Sequence, residues 1–394
     1  EEKMTLFWHG HFTSGMREVR DSIKMKEQNE FLRRHALDNF GELLLGVSRD
    51  PAMLVYLDGA RNNKRQPNEN YARELMELFS LGEGNYTEDD IKAAARAFTG
   101  WGYDDQGFVF RKNLHDYDQK RFLGRSGRLN GDDVLETILQ QPACSRYLAS
   151  RLIKFFVTPD PDSSLVESFA AVIRREKYEM KPVMRTLFLS RAFYDGHYRG
   201  SLVKSPVELL VGTARQFGKS IEDLRAAERA MTGMGQELMQ PPNVRGWQGG
   251  ATWINTATLF SRYNVVSAML APPPRGRDVD KSQWNDEEMF DRTMADMSMR
   301  SMDMEEKSRV DQRGYVAFDP VSVVESYDLK SAREIVDFFA ARVLALPLSE
   351  AKAALLTEYL CGGEREFRPK GRSAGVRLLT MLQLMCSTPE YQMN

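Results

Sequence analysis

Apolar residues recur at helical spacing through most of this chain, and that spacing limits the possible folds more than any other feature. Between Phe31 and Leu45 the apolar positions lie close to the 3.6-residue repeat of an α-helix: Leu32, Leu37, Phe40, Leu43 and Leu44. Further helical stretches run over Leu152–Val157, Ser164–Arg174 and Lys181–Phe188. We therefore predict an all-α fold class, built as a large multi-helix domain.

Capping residues separate these helices. Asn68 is a suitable N-cap for a helix whose apolar face is Tyr71, Leu75, Leu78 and Phe79. Thr87, followed three residues later by Asp90, forms the pattern of a capping box for a helix that reaches Phe98. The start of each of these two helices is thus marked by a polar side chain.

One segment departs from the helical pattern. In residues 103–125, the stretch Gly107–Arg111 alternates apolar residues in the manner of a strand. We predict a small β-hairpin element near 103–125 within the all-α fold.

Composition excludes several classes of protein. The chain has 394 residues, a net charge of −2 and 28% charged residues of mixed sign, so it presents no basic field for nucleic acid. No stretch approaches the roughly 18–20 apolar residues of a membrane span. The three cysteines form no Cys-x-x-Cys pair, and a disulfide framework is not expected.

The distribution of residue types predicts three regions. Residues 1–271 form the main helical domain, residues 272–330 an insertion or linker, and residues 331–394 C-terminal helices that pack back on the main domain. Between Met289 and Met304 lie six methionines in a charged context. Such a run can bind Cu(I), offer a pliable partner-binding face or form a flexible insertion, and we favour the insertion.

Histidine is rare here and unevenly placed. Four of the five histidines, His9, His11, His35 and His115, fall in three short motifs with other polar residues. The pair His9 and His11 would lie on one side of an extended segment but on divergent sides of a helix. His-x-His with a third ligand is a common metal arrangement, and the alternative is two histidines hydrogen-bonded within a packed aromatic turn.

The other polar motifs allow the same two interpretations. Asn39 follows His35 by four residues, where it could fix the tautomer of that imidazole. His115 and Asp116 could act as a metal ligand or as a base with its orienting carboxylate, or simply belong to a polar loop.

A helix pattern adds two carboxylates and an arginine. Glu69 and Arg73 are four residues apart, as are Asn70 and Glu74, and Glu77 extends the acidic face. These are either exposed pairs of small energetic effect or parts of a polar cleft. No nucleophile elbow, phosphate-binding loop, dinucleotide fingerprint or His-Glu-x-x-His motif is present, which removes the enzyme classes that carry them.

Taken together, the ordered motifs resemble the bacterial "domain of unknown function 1800" family. The segments that carry the resemblance are Met4–Phe12, His35–Phe40, Pro51–Asp58, Asn68–Gly82, Ala97–Trp101, His115–Asp116, Pro241–Trp247 and Ser387–Tyr391. Many members have His where this chain has Phe79, which argues against a required ligand there. The stretch 272–330 looks specific to this chain.

The resemblance implies a mostly helical, exported bacterial protein in the periplasm or another extracytoplasmic location. It also implies that an N-terminal part of the family domain precedes Glu1. Members are often encoded beside exported proteins that look like sulfatases, so such a protein is an expected partner.

Two hypotheses about function follow. In the first, a polar cleft gathers His9, His11, His35, Glu69, Arg73, Glu74, His115 and Asp116, with a divalent metal as its cofactor. The metal ligands would then be His9, His11, His115, Asp116 and Glu74, while the catalytic candidates are His9, His11, His35, Glu74 and Arg73. In the second, the chain is a non-enzymatic scaffold or partner of the sulfatase-like protein, and the same residues are internal struts.

Overall fold

The computed structural model describes residues 1–271, 318–364, 366–367 and 372–394. The fold is mostly helical, with two small antiparallel two-stranded sheets in the described residues, which confirms the predicted fold class. Contacts divide the chain into two compact units. The first is Glu1–Tyr198 with Leu238–Gln248, and the second is Arg199–Glu237 with Gly249–Asn394.

The first unit is a succession of short helices. Its α-helices are Glu2–His11, Met16–Val19, Ser22–Arg34, Phe40–Arg49, Pro51–Tyr56, Asn70–Glu74, Glu88–Ala97, Gly131–Gln140, Pro142–Phe156, Ser163–Arg175, Met180–Leu189 and Arg191–Tyr194. A π-helix, Leu75–Ser80, continues directly from Asn70–Glu74. Single 3₁₀ turns lie at Gly59–Arg61 and Lys112–Leu114.

Side-chain caps explain where several of these helices begin. The predicted capping box is confirmed, since the Thr87 hydroxyl accepts the Asp90 N–H and the Asp90 carboxylate accepts the Thr87 N–H. Asp50 ends one helix and caps the next by accepting the Met53 N–H. These side chains satisfy N–H groups that the first helical turn leaves without partners.

The predicted hairpin is also confirmed. Strand Trp101–Asp104 pairs antiparallel with strand Gly107–Phe110, so that Trp101 faces Phe110 across the ladder. A second small hairpin follows, formed by Lys120–Phe122 and Arg125–Gly127. The segment between the two hairpins carries His115.

Aromatic side chains of the first helix form the centre of the first unit's core. Trp8 and Phe12 are fully buried and stack with each other and with Phe40 at ring-centroid distances of 5.6–6.2 Å. The indole N–H of Trp8 donates to the carbonyl of Ala36 at 2.9 Å. This burial ties the first histidine motif to the core rather than to the surface.

The second unit has its own apolar core. Its α-helices are Pro206–Gln216, Leu224–Gly233, Thr256–Leu270, Pro320–Ser326, Ala332–Val343, Glu350–Cys361 and Arg372–Cys386, with 3₁₀ turns at Gly250–Trp253 and Pro389–Gln392. Leu209, Val266 and Leu382 are among its fully buried residues. Helix Thr256–Leu270 packs against both Pro206–Gln216 and Arg372–Cys386.

The predicted boundaries at residues 271 and 331 stay predictions. Residues 272–317, which include the Met289–Met304 run, lie outside the described residues. Within the described residues, no helix combines the length and the apolar character that crossing a membrane requires.

Candidate functional site

His9 is buried and serves as a hydrogen-bond acceptor. Its Nε2 accepts the backbone N–H of Met239 at 3.1 Å, and its ring lies 5.4 Å from that of Trp247. Burial lowers the pKa of His9 to about 4. The imidazole is therefore neutral at physiological pH, and its proton is on Nδ1.

His11 is buried on another side of the same helix. Its Nε2 donates to the carbonyl oxygen of Phe79 at 2.9 Å. Burial, reinforced by the nearby charge of Arg151, lowers the pKa of His11 to about 3. Because the segment is helical, His9 and His11 diverge, as the His-x-His spacing requires.

His35 stands just beyond the end of helix Ser22–Arg34. Its Nδ1 bonds to the Asp38 carboxylate at 2.9 Å, and its ring lies 4.6 Å from that of Phe31. The predicted pairing with Asn39 is wrong, because the helix ends before it can bring residues 35 and 39 onto one face. Asn39 instead caps the next helix by accepting the Gly41 N–H.

His115 and Asp116 make separate structural contacts. His115 is buried, and its Nδ1–H donates to the carbonyl of Thr99 at 2.8 Å. Asp116 accepts two bonds from the Arg96 guanidinium, at 2.7 and 3.3 Å. Burial alone would raise the pKa of Asp116, but the Arg96 contact and the Asp118 N–H hold it below its usual value.

The charged residues of the Asn70–Glu74 helix also separate. Arg73 forms two bonds to the Glu88 carboxylate at 2.9 and 3.0 Å, and lies 3.5 Å from Glu69. These groups are partly exposed. Glu74 is half-buried, and burial together with the charge of Glu77 raises its pKa, against the opposing charges of Arg245 and Arg73.

The predicted residues therefore do not gather into one cleft. In the part of the chain that the structure describes, no three side chains of His, Cys, Asp or Glu lie close enough together to hold a metal ion. His9, His11 and His115 each hydrogen-bond to a different backbone group. Their geometry gives the metal hypothesis no support.

The hydrogen bond from His11 leads to an irregular element, the π-helix Leu75–Ser80. A π-helix leaves carbonyl groups without the usual α-helical donors, and such helices are frequent at functional sites. Here the carbonyl of Phe79 accepts from His11, that of Leu78 accepts from the Tyr147 hydroxyl at 2.7 Å, and that of Leu75 accepts from Ser80. His11, which is buried, and Tyr147, which is partly buried, thus both stabilise the π-helix through its carbonyl groups.

A charged cleft of about 440 Å³ opens beside this π-helix. Leu78, Leu81 and Ala143 supply apolar surface, while the charged and polar lining residues are Glu77, Glu83, Asn85, Arg146, Tyr147 and Arg245. The volume lies within the range of about 300–1,000 Å³ typical of small-ligand sites. No histidine lines the cleft.

Arg245 is the central cation of the cleft. Its Nη2 donates to Glu77 at 2.6 Å and to Glu83 at 3.0 Å. The Glu77 side chain is only 17% exposed, whereas that of Arg245 is 59% exposed. The second oxygen of Glu77 accepts from the Tyr86 hydroxyl at 3.1 Å. Glu77 is therefore held in position, while Arg245 exposes more than half of its side chain to solvent.

The loop Leu238–Gln248 positions Arg245 at the cleft. Thr13 donates to the carbonyl of Val244 at 2.5 Å, and the Met239 N–H donates to His9. Gly246 has φ +75°, and a Cβ there would lie 2.6 Å from the carbonyl oxygen of Gly10. Because residue 246 has no Cβ, the loop can pack against the Gly10 carbonyl of the first helix, which places Arg245 at the cleft.

Sequence reasoning missed most of the cleft. Glu77 was recognised only as part of an acidic helix face, and Arg245 only as part of a turn-rich loop. Glu83, Arg146 and Tyr147 carried no local signal, since charged residues on helices are ordinarily solvated. The contributing segments are far apart in the chain, and only folding brings them together.

Fold and site together define a mostly helical protein with a charged cleft formed at a π-helix. Over residues 1–393 the chain matches the family described as "Protein of unknown function (DUF1800)". The chain belongs to this family, as the ordered motifs predicted. No curated protein and no solved structure matches it.

Proposed function

We propose that this protein acts by binding, and that the charged cleft beside the π-helix is its ligand site. The observation that carries the proposal is the arrangement of Arg245, which is held by Glu77 and Glu83 yet leaves more than half of its side chain exposed in a cleft of ligand size.

The lining indicates the chemistry of the ligand. Arg146 and Arg245 offer donors to a carboxylate, and the oxygens of Glu77 and Glu83 offer acceptors to an ammonium group. Leu78, Leu81 and Ala143 provide apolar contact. A short peptide segment with charges of both signs satisfies all three requirements.

The histidine motifs take no part in the cleft. A histidine that acts as a general acid or base must lie within hydrogen-bond reach of the substrate, whereas the titratable carboxylates of this cleft are Glu77 and Glu83. His9, His11 and His115 are buried in internal hydrogen bonds, and none lines the cleft. In this proposal they act as struts, as in the scaffold hypothesis, and a divalent metal is not required.

Titration calorimetry with tetrapeptides of defined sequence tests the proposal. We expect zwitterionic tetrapeptides to bind the full chain, and capped, uncharged ones to bind at least tenfold more weakly. Arg245→Ala should abolish binding, whereas Arg128→Ala, which removes an exposed arginine outside the cleft, should leave it unchanged. Failure of every charged tetrapeptide, or equal binding by wild type and Arg245→Ala, contradicts the proposal.

Export and a sulfatase-like partner remain further proposals, which rest on the family resemblance alone. Expression of the full-length gene in its native host, followed by separation of envelope and cytoplasm, tests export. Affinity capture from that envelope tests the partner, and recovery of no sulfatase-like protein counts against it.

A further inference from the structure

The interior of the second unit contains an arginine, Arg262, that forms no ion pair with a carboxylate of the described residues. Arg262, on helix Thr256–Leu270, is completely buried. Its Nε donates to Oε1 of Gln392 at 2.7 Å, and its Nη2 donates to the carbonyl of Lys204 at 2.6 Å. Both acceptors are neutral oxygens, so they satisfy donors without neutralising the guanidinium.

A second cation belongs to the same hydrogen-bond network. The Lys204 ammonium donates to the carbonyl of Tyr391 at 2.7 Å and lies 4.0 Å from the centre of that ring. Burial lowers the pKa of Lys204 to about 8 and also lowers that of Arg262. The carboxylate of Glu208, which also accepts the Ser205 N–H at 2.9 Å, acts on the pKa of both cations in the raising direction but does not offset the effect of burial.

Two buried donors in this network have no partner. Among the described residues, nothing accepts a hydrogen bond from Nη1 of Arg262 or from Nε2 of Gln392. The two atoms belong to side chains that are directly bonded to each other. Leaving buried donors unmet is costly, and leaving a buried charge uncompensated is costlier still, so unmet donors of this kind indicate a missing acceptor.

We propose that this pair of donors binds a small monovalent anion, of which chloride is the simplest example. An anion accepts from both donors and offsets the guanidinium charge, which a water molecule cannot do. A phosphate group would need more donors than these two side chains leave free. The anion then acts as an internal strut that joins helix Thr256–Leu270 to the turn Pro389–Gln392.

Thermal unfolding of the full chain in sodium bromide and in sodium gluconate, at equal ionic strength, tests the site. Gluconate is too large to occupy an enclosed position between two side chains. An anion that binds only the folded state raises its stability by mass action, so we expect the Tm in bromide to be about 2–4 °C higher. Bromide-soaked crystals should show an anomalous peak beside Nη1 of Arg262.

Two variants distinguish anion binding at Arg262 from general effects of salt on stability. Gln392→Glu supplies an internal carboxylate next to Arg262, so it should fold and lose the difference between bromide and gluconate. Arg333→Gln, which removes an exposed arginine of the same unit, should keep the wild-type difference.

Three results would overturn the proposal. They are equal Tm values of the wild type in the two salts, the same difference in Gln392→Glu as in the wild type, and crystals with water alone beside Nη1. The first and third results need only the wild-type chain, so they remain informative even if Gln392→Glu does not fold.

Discussion

The histidine motifs and the charged cleft of the first unit place their polar residues in opposite ways. His9, His11 and His115 are rare residues in compact motifs, but each is buried and bonded to a backbone group. Glu77, Glu83 and Arg245 are common residues, and Arg245 lies 168 and 162 residues from the two glutamates in the sequence, but the three meet in an open cleft. A conspicuous motif can therefore serve the fold, while an inconspicuous set of residues forms the surface available to a ligand.

Substitution of His11 should have the largest effect on stability. His11→Ala removes a buried ring and leaves the Phe79 carbonyl without its donor, which we expect to cost about 3–5 kcal/mol. His35→Ala, at a partly exposed position, is the matched control and should cost less than about 1 kcal/mol. Denaturant unfolding measures the stability of both variants. Equal losses of stability would contradict the proposed difference between the buried His11 and the partly exposed His35.

Acid should weaken the fold through the buried histidines. Because the pKa of His9 is about 4 in the fold and about 6.5 when unfolded, the unfolded chain takes up the proton first as the pH falls. The stability that His9 contributes is complete above pH 6.5 and is lost towards pH 4, on the order of 3 kcal/mol. The free energy of unfolding, measured from pH 7 to pH 4, should fall with pH.

Comparison with His9→Gln isolates this contribution. Asp50 has the opposite effect on the pH dependence of stability. Burial raises its pKa to about 6, so as the pH falls the folded chain takes up this proton before the unfolded chain does. The whole pH profile is therefore a sum of opposing effects. His9→Gln should lose less stability than the wild type over the same pH range, and an unchanged slope would show that His9 is not a buried neutral strut.

A glycine substitution should show how the loop serves the cleft. Gly246→Ala places a methyl group against the Gly10 carbonyl, whereas Gly124→Ala imposes a similar positive φ where no atom lies within 4 Å. We expect Gly246→Ala to lose about 1–3 kcal/mol more than Gly124→Ala, because only the former must displace backbone. Denaturant unfolding of the two variants measures the difference. Equal losses of stability would mean that the loop accommodates the added methyl group at no extra cost.

Arg245→Ala should have the smallest effect on stability. Its ion pairs are exposed enough that their removal should change the free energy of unfolding by less than about 1 kcal/mol. Paired with the loss of tetrapeptide binding, this result would identify Arg245 as a ligand contact rather than a strut. A loss of several kcal/mol in the free energy of unfolding would show that Arg245, like the buried histidines, mainly stabilises the fold.

Much of the fold was predictable from local pattern. The capping box at Thr87 and the hairpin strand at Gly107 were visible because their physical causes lie within a few residues of each other. The π-helix was not visible, since Leu75–Ser80 has the composition of an ordinary α-helix. His11 and Tyr147 bond to carbonyls of the π-helix that are 68 and 69 residues away in the sequence.

The sequence by itself determined the helical class, the capping box at Thr87 and membership of the family, because periodicity, capping and ordered motifs are local properties; the N-cap predicted at Asn68 was wrong, since that helix begins after Glu69. Only the tertiary structure decided what the polar residues do. It placed His9 and His11 on diverging sides of a buried helix and brought Arg245 to Glu77 across 168 residues of chain. Whether a polar side chain faces the core or a cleft depends on burial and on distant partners, and neither is encoded in its neighbours.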